Sequence, residues 1–115
     1  MNELKAEIII NAGIRIAQQN LANAYIFKRG DSDAGTIFVK VDTLNGFSKL
    51  FYRNLSYNFK LDKDFIEFVD LFPNQDTETV IVDSRISKEI KMDRDCWVIE
   101  IEDKKGINPF YNLNC

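Results

Sequence analysis

The stretch Ile37-Phe38-Val39-Lys40-Val41-Asp42-Thr43-Leu44-Asn45-Gly46-Phe47-Ser48-Lys49-Leu50-Phe51-Tyr52-Arg53 decides the fold class. Side chains alternate between the two faces of a strand. Ile37, Val39 and Val41 therefore point one way, and Phe38 and Lys40 the other. Asn45-Gly46 is the pair favoured in a type I′ turn, because both central residues need a positive φ. The chain should reverse there into a second strand, Phe47–Arg53. Upstream, Tyr25, Phe27 and Arg29 alternate with Ala24, Ile26 and Lys28, which adds a first strand and completes an antiparallel meander.

Helical signals flank this meander. Leu4, Ile8, Ile9, Ala12 and Ile16 form an apolar stripe over residues 4–19, with Glu7, Asn11, Arg15 and Gln18 on the polar side. Gly13 interrupts it at a cost of about 1 kcal/mol against Ala, and can mark a close approach to the sheet. Phe65, Phe68, Val69 and Phe72 at helical spacing predict a helix over 62–72, capped by Asp62 and stopped by Pro73. Val82, Ile86 and Ile90 predict another over 78–91, with Asp76 and Thr77 at its cap. A last strand, Cys96–Glu102, turns Trp97, Ile99 and Ile101 to the core and Val98, Glu100 and Glu102 the other way. The expected fold is α+β in the order α-β-β-β-α-α-β. It has a four-stranded, mainly antiparallel sheet with two or three helices packed on one face. Residues 1–105 form one domain and 106–115 an irregular tail.

Composition bounds the function. The 115 residues are 45% hydrophobic and 29% charged, which is globular and excludes disorder. There is no histidine, so Ser-His and Cys-His nucleophile pairs and His-ligated metals are excluded. Two cysteines, Cys96 and Cys115, are too few for a disulfide framework or a four-thiolate zinc site. Residues 1–61 carry a charge of +3 and residues 62–103 a charge of −8. Such a chain lacks the broad basic footprint of a nucleic-acid binder. The only basic neighbours of aromatic side chains that suit base stacking are Lys28, Arg29 and Lys40, beside Phe27 and Phe38. No apolar run is long enough to span a bilayer, and Met1–Lys5 does not open like a secretory leader. A cytoplasmic location is expected.

Two stretches concentrate the polar chemistry. Arg29-Gly30-Asp31-Ser32-Asp33-Ala34-Gly35-Thr36 sets two aspartates between two glycines. It is no P-loop, because no Lys follows Gly35 and a strand comes next. It is no EF-hand either, because position 6 of that loop falls on Thr36 instead of Gly. Arg29 can donate in bidentate fashion, while Asp31 and Asp33 can accept hydrogen bonds or contact Mg²⁺ or Mn²⁺. In the second stretch, Glu100 and Glu102 share a strand face about 7 Å apart. Glu102-Asp103-Lys104 has the Glu-x-Lys form of metal-dependent nucleases, although in those enzymes it lies on the third strand of the meander.

The same two stretches resemble a known family. Residues 29–41 are similar to the central motif, and Asp93–Asp103 to the C-terminal motif, of the bacterial domain-of-unknown-function family 1491. The resemblance spans residues 4–103 and implies a small cytoplasmic bacterial protein with no assigned catalytic residues. Two functions are thus expected. The first is a non-catalytic binding module that holds a protein partner or small ligand through Arg29, Gly30, Asp31, Asp33 and Gly35. The alternative is a metal-dependent hydrolase or nuclease built from Asp31, Asp33, Glu100 and Glu102. Recruitment into a larger assembly through an exposed sheet edge or acidic helical face is a third case.

Overall fold

The computed structural model describes residues 5–33, 35–58 and 63–110. Leu4, Ala34, Asp62 and Cys115, to which the sequence reading gave roles, lie outside them. The order is α1 (Ala6–Gln19), β1 (Asn23–Lys28), β2 (Ile37–Asp42), β3 (Phe47–Asn58), β4 (Lys63–Asp70), β5 (Thr77–Glu78), α2 (Thr79–Met92) and β6 (Trp97–Glu102). The sheet runs β1-β6-β2-β3-β4, and β5 adds a two-residue pairing to β3. Only β2 and β6 run parallel, with Ile37 opposite Trp97 and Lys40 opposite Glu100; the other pairs are antiparallel. The α+β class and the mainly antiparallel sheet hold, with two strands more than expected, but β6 lies between β1 and β2, so β1 does not join β2 and β3 in the expected meander.

One of those strands replaces a predicted helix. Residues 63–70 pair with β3 from Asn58↔Lys63 to Phe51↔Asp70. The helical spacing of the phenylalanines is real, but aromatic and β-branched residues fit a pleated surface equally well, and pairing decides. β3 runs to Asn58 instead of ending at Arg53, which supplies the partner. Asp70 then accepts the Phe72 amide at 2.9 Å and closes the strand.

The helices lie on opposite faces, which corrects the single helical layer. β2 is a central strand buried on both sides, as its near-continuous apolar run requires. On one face, Ile37, Val39 and Val41 join Trp97, Ile99 and Ile101 under α1. On the other, Phe38, Leu50, Cys96 and Val98 receive Val82 and Ile86 of α2. Cys96 is a buried free thiol; desolvation raises its pKa above the ordinary value.

Local details also move. The buried residues of α1 are Ala6, Ile9, Ile10, Gly13 and Ala17, so the stripe is rotated and Ile8 faces out. Phe110 packs on this face at Gly13. Though it belongs to the irregular segment after β6, its ring is wholly buried, and a Cβ on Gly13 would lie 2.2 Å from it. Asn108 holds that turn by accepting the Phe110 amide at 2.9 Å.

The β2–β3 hairpin forms where predicted, but not through a type I′ pair at Asn45-Gly46. Positive φ occurs at Leu44 (63°) and Gly46 (92°). Thr43 N–H donates to the Phe47 carbonyl, so three residues close the loop. Asn45 Oδ1 accepts from the Phe47 amide and the Thr43 hydroxyl, and these bonds set the geometry. At α2, no side chain caps the first turn; the Thr79 amide donates instead to the Gly46 carbonyl. Thr77, expected near that cap, is buried in β5.

Candidate functional site

The Arg29–Gly35 loop joins β1 to β2 and lies against the turn before β6. Asp31 N–H donates to the Asp95 carbonyl, and Trp97 Nε1–H donates to the Asp31 carbonyl at 2.7 Å. A Cβ on Gly30 would meet Asp95 O at 2.2 Å, and one on Gly35 would meet it at 2.4 Å. Both glycines are therefore explained by close backbone approach. The Ser32 and Asp33 carbonyls accept the amides of Glu7 and Ala6. They satisfy donors at the start of α1, where Lys5 supplies no side-chain cap.

The loop aspartates are partly engaged. Asp31 Oδ1 accepts the Asp33 amide at 3.0 Å, an Asx turn. Asp33 Oδ1 lies 3.5 Å from the Lys5 ammonium, with both side chains exposed, a pair worth little in water. The Arg29 guanidinium sits 5.8 Å from the centre of the Trp97 ring, within cation–π range, and is not in an ion pair among the described residues. Lys28 turns its ammonium into the carbonyls of Arg29, Arg94 and Cys96 at 3.0, 2.6 and 3.0 Å. It is committed to tying the end of β1 to the Arg94–Cys96 turn.

Glu100 and Glu102 do not join Asp31 and Asp33. The loop touches β6 at Trp97, on the α1 face. Glu100 lies three residues on, about 10 Å along the strand, and on the other face. Among the described residues, no three His, Cys, Asp or Glu side chains come together as a metal would require. The four-carboxylate metal centre is not formed.

A cluster that sequence reading did not assemble forms around Glu100 instead. Lys40 is buried, and its ammonium lies 2.6 Å from Asp83 of α2 and 3.1 Å from Glu100 of β6. Tyr25 of β1 donates its hydroxyl to Glu100. Burial is the largest influence on Lys40 and opposes its charge, but the hydrogen bonds to Asp83 and Glu100 outweigh it and raise the pKa. The bond to Glu100 pushes the Tyr25 phenol up to about 12. A raised lysine pKa is the reverse of what an amine nucleophile needs, so these groups clamp α2 to the sheet. The available signal was Lys40, the one charge inside Ile37–Val41. Since Lys28 and Lys40 are both committed, Arg29 alone remains of the basic residues considered for base stacking.

Beyond this cluster the sheet face opens. Tyr25 and Phe27 are 48% and 58% exposed, whereas Ala24 and Ile26 of the same strand pack towards α1. Asn23 donates to Glu102 at 3.2 Å on this open side. A cleft of about 340 Å³ lies between α2 and the sheet, with Phe38, Tyr52, Leu71 and Arg85 in its lining; Arg85 there is bonded to Glu89.

Comparison with known proteins places this fold. A DUF1491 family protein from Caulobacter crescentus CB15, solved by crystallography, is 29% identical with a TM-score of 0.74. The match covers 95% of this chain and 93% of that one. The NMR structure of a DUF1491 family protein from the same organism is also 29% identical, with a TM-score of 0.71 and coverage of 97% and 96%. Protein Atu0922 from A. tumefaciens, solved in solution, shares the fold at 24% identity, with a TM-score of 0.76 and coverage of 97% and 95%. No curated protein matches the chain. No helix among the described residues is long and apolar enough to cross a membrane. The family model for proteins of unknown function DUF1491 matches residues 4–111, and the chain belongs to that family.

Proposed function

We propose that this chain is a non-catalytic interaction module of the bacterial cytoplasm. Its contact surface is the open part of the sheet face along β1, ending at Arg29 in the Arg29–Gly35 loop. One observation carries this reading: Tyr25 and Phe27 stand exposed, two residues apart along β1, with Tyr25 on the sheet face that α2 covers only in part. Exposed aromatics beside a polar rim mark interaction surfaces in soluble proteins. Arg29 continues the surface, while Gly30, Asp31 and Gly35 shape the loop that holds it and Asp33 remains outward. The polar groups favour binding over catalysis, because the titratable cluster is spent on a structural clamp.

A photoreactive phenylalanine analogue at position 27 tests the reading in cells, with Ile8 on the outer side of α1 as the control position. A discrete cross-linked product from position 27 and none from position 8 is the expected result. Its mass distinguishes a second copy of the chain from another protein. No product from position 27 would refute the surface.

A further inference from the structure

The α2-side face of the molecule is a step. α2 packs over Phe38 of β2, Leu50 of β3, and Cys96 and Val98 at the start of β6. Beside it lies a lower shelf, formed by β1 and the Glu100–Glu102 end of β6. Two strands span about 10 Å, and six residues of strand about 20 Å. A helix of 14 residues is about 21 Å long and about 10 Å across. The shelf therefore has the footprint of one helix like α2.

Its chemistry is aromatic and acidic. Tyr25 and Phe27 supply the apolar surface, Glu100 and Glu102 lie beside them, and Asp83 stands on the flank of α2. Its lysines are already engaged, Lys40 by Asp83 and Glu100 and Lys28 by the carbonyls of Arg29, Arg94 and Cys96. The matching occupant is a helix that presents apolar residues together with lysines. The top of α2 is such a surface. Ile81, Lys88, Lys91 and Met92 lie away from buried Val82 and Ile86, and all four are exposed. Ile81 and Met92 are 49% and 69% exposed, and Val80 on the flank is 65% exposed. A strand added to the edge of β1 would fit less well. It would meet the register shift between Ile26 and Lys28, a bulge of the kind that turns an edge away from pairing, and it would leave the aromatic face uncovered.

We infer that a second copy of this chain occupies the shelf, each α2 seating on the other copy's β1–β6 shelf about a twofold axis. This rests on the interaction surface proposed above and names its occupant. The arrangement is isologous, so every contact occurs twice and the assembly closes as a dimer. Lys88 and Lys91 meet Glu102 and Asp83 of the facing copy, and Ile81 and Met92 cover Tyr25 and Phe27.

Sedimentation equilibrium over a wide concentration range tests it on the full chain. The wild type should associate to a dimer and no further. Phe27→Ser should weaken association at least about tenfold, as loss of a central aromatic anchor does, and should leave the far-UV spectrum unchanged because the side chain is exposed. Glu102→Lys and the double variant Lys88→Glu/Lys91→Glu should each weaken it alone, and mixing the two should restore a heterodimer, because one of its seats then carries the native charges and the other the reversed pair. A wild type that stays monomeric at millimolar concentration overturns the inference, as does a mixture that fails to associate when the wild type dimerises. A monomeric wild type that still cross-links from position 27 to another protein would overturn only the choice of occupant. Monomer with no cross-link at all would remove the surface itself.

Discussion

Replacing Phe110 and Gly13 singly and together tests how the chain's last described residue enters the core. Phe110 is fully buried against Phe68, with ring centroids 5.3 Å apart, so Phe110→Ala should cost about 3–5 kcal/mol. That is a large share of the roughly 5–15 kcal/mol that holds a domain together. Gly13→Ala brings opposing effects. It gains about 1 kcal/mol of helix propensity, yet its Cβ would fall 2.2–2.6 Å from three atoms of the Phe110 ring. Overpacking of that kind costs about 1–3 kcal/mol, so the single variant should be neutral to about 2 kcal/mol less stable. In the Phe110→Ala background the ring is gone, and the same change should stabilise by about 1 kcal/mol. The coupling is then about 1–3 kcal/mol, well above the roughly 0.5 kcal/mol within which independent sites add. Urea unfolding followed by the emission of Trp97, the only tryptophan and a buried one, measures all four proteins. Additive effects, or a Gly13→Ala variant stabilised equally in both backgrounds, would refute the packing of Phe110 on α1.

The buried clamp makes two further predictions. Lys40→Met should destabilise by about 3–5 kcal/mol because it strands Glu100 without its cation, and Glu100→Gln added to it should recover a substantial part. Asp83→Asn should cost under about 1 kcal/mol because Asp83 is half exposed; an equal cost for Asp83→Asn and Lys40→Met would contradict the burial described. Tyr25 and Lys40 also make stability sensitive to alkali. Both have pKa values raised in the folded state, so the folded chain keeps protons that the unfolded chain releases. The contribution of Tyr25 is complete below its ordinary value of 10.0 and is lost as pH rises towards about 12, and that of Lys40 is lost only above its ordinary value of 10.5. Thermal unfolding should show a midpoint that falls above pH 10, with a shallower slope in Glu100→Gln. An unchanged slope in that variant would place the titration elsewhere.

How much of this was legible in the sequence varied with the range of the forces involved. The β2–β3 hairpin and the strand Trp97–Glu102 were readable because alternation and turn residues act locally. β4 was not, because Phe65, Phe68, Val69 and Phe72 satisfy helical spacing, and only the long partner strand β3 decides between the two states. The second helical layer was missed for a related reason. Phe38 and Val98 were placed correctly on the reverse side of their strands, but a face holding Lys40 and Glu100 reads as solvated until Asp83 is brought over it. The loop glycines stood out, whereas their cause lay in Asp95 O, which is 65 positions from Gly30 and 60 from Gly35 in the chain.

The clamp also bears on why the open shelf persists. If the face beyond α2 were ordinary solvent-exposed sheet, nothing would favour aromatic side chains at both Tyr25 and Phe27, since single polar residues there keep an edge soluble. If it were core, Glu100 and Lys40 would have to be desolvated completely, and the attraction between them would hardly offset that cost. The observed order resolves both demands. Lys40 is buried under α2, Glu100 lies at the boundary with 17% of its side chain exposed, and Tyr25 carries the hydrogen-bonded chain out to the surface. The charge is thus neutralised at the line where covered sheet ends, and the aromatic shelf next to it can be wetted or covered without disturbing the core. A surface that must exist in both states requires a boundary of this kind.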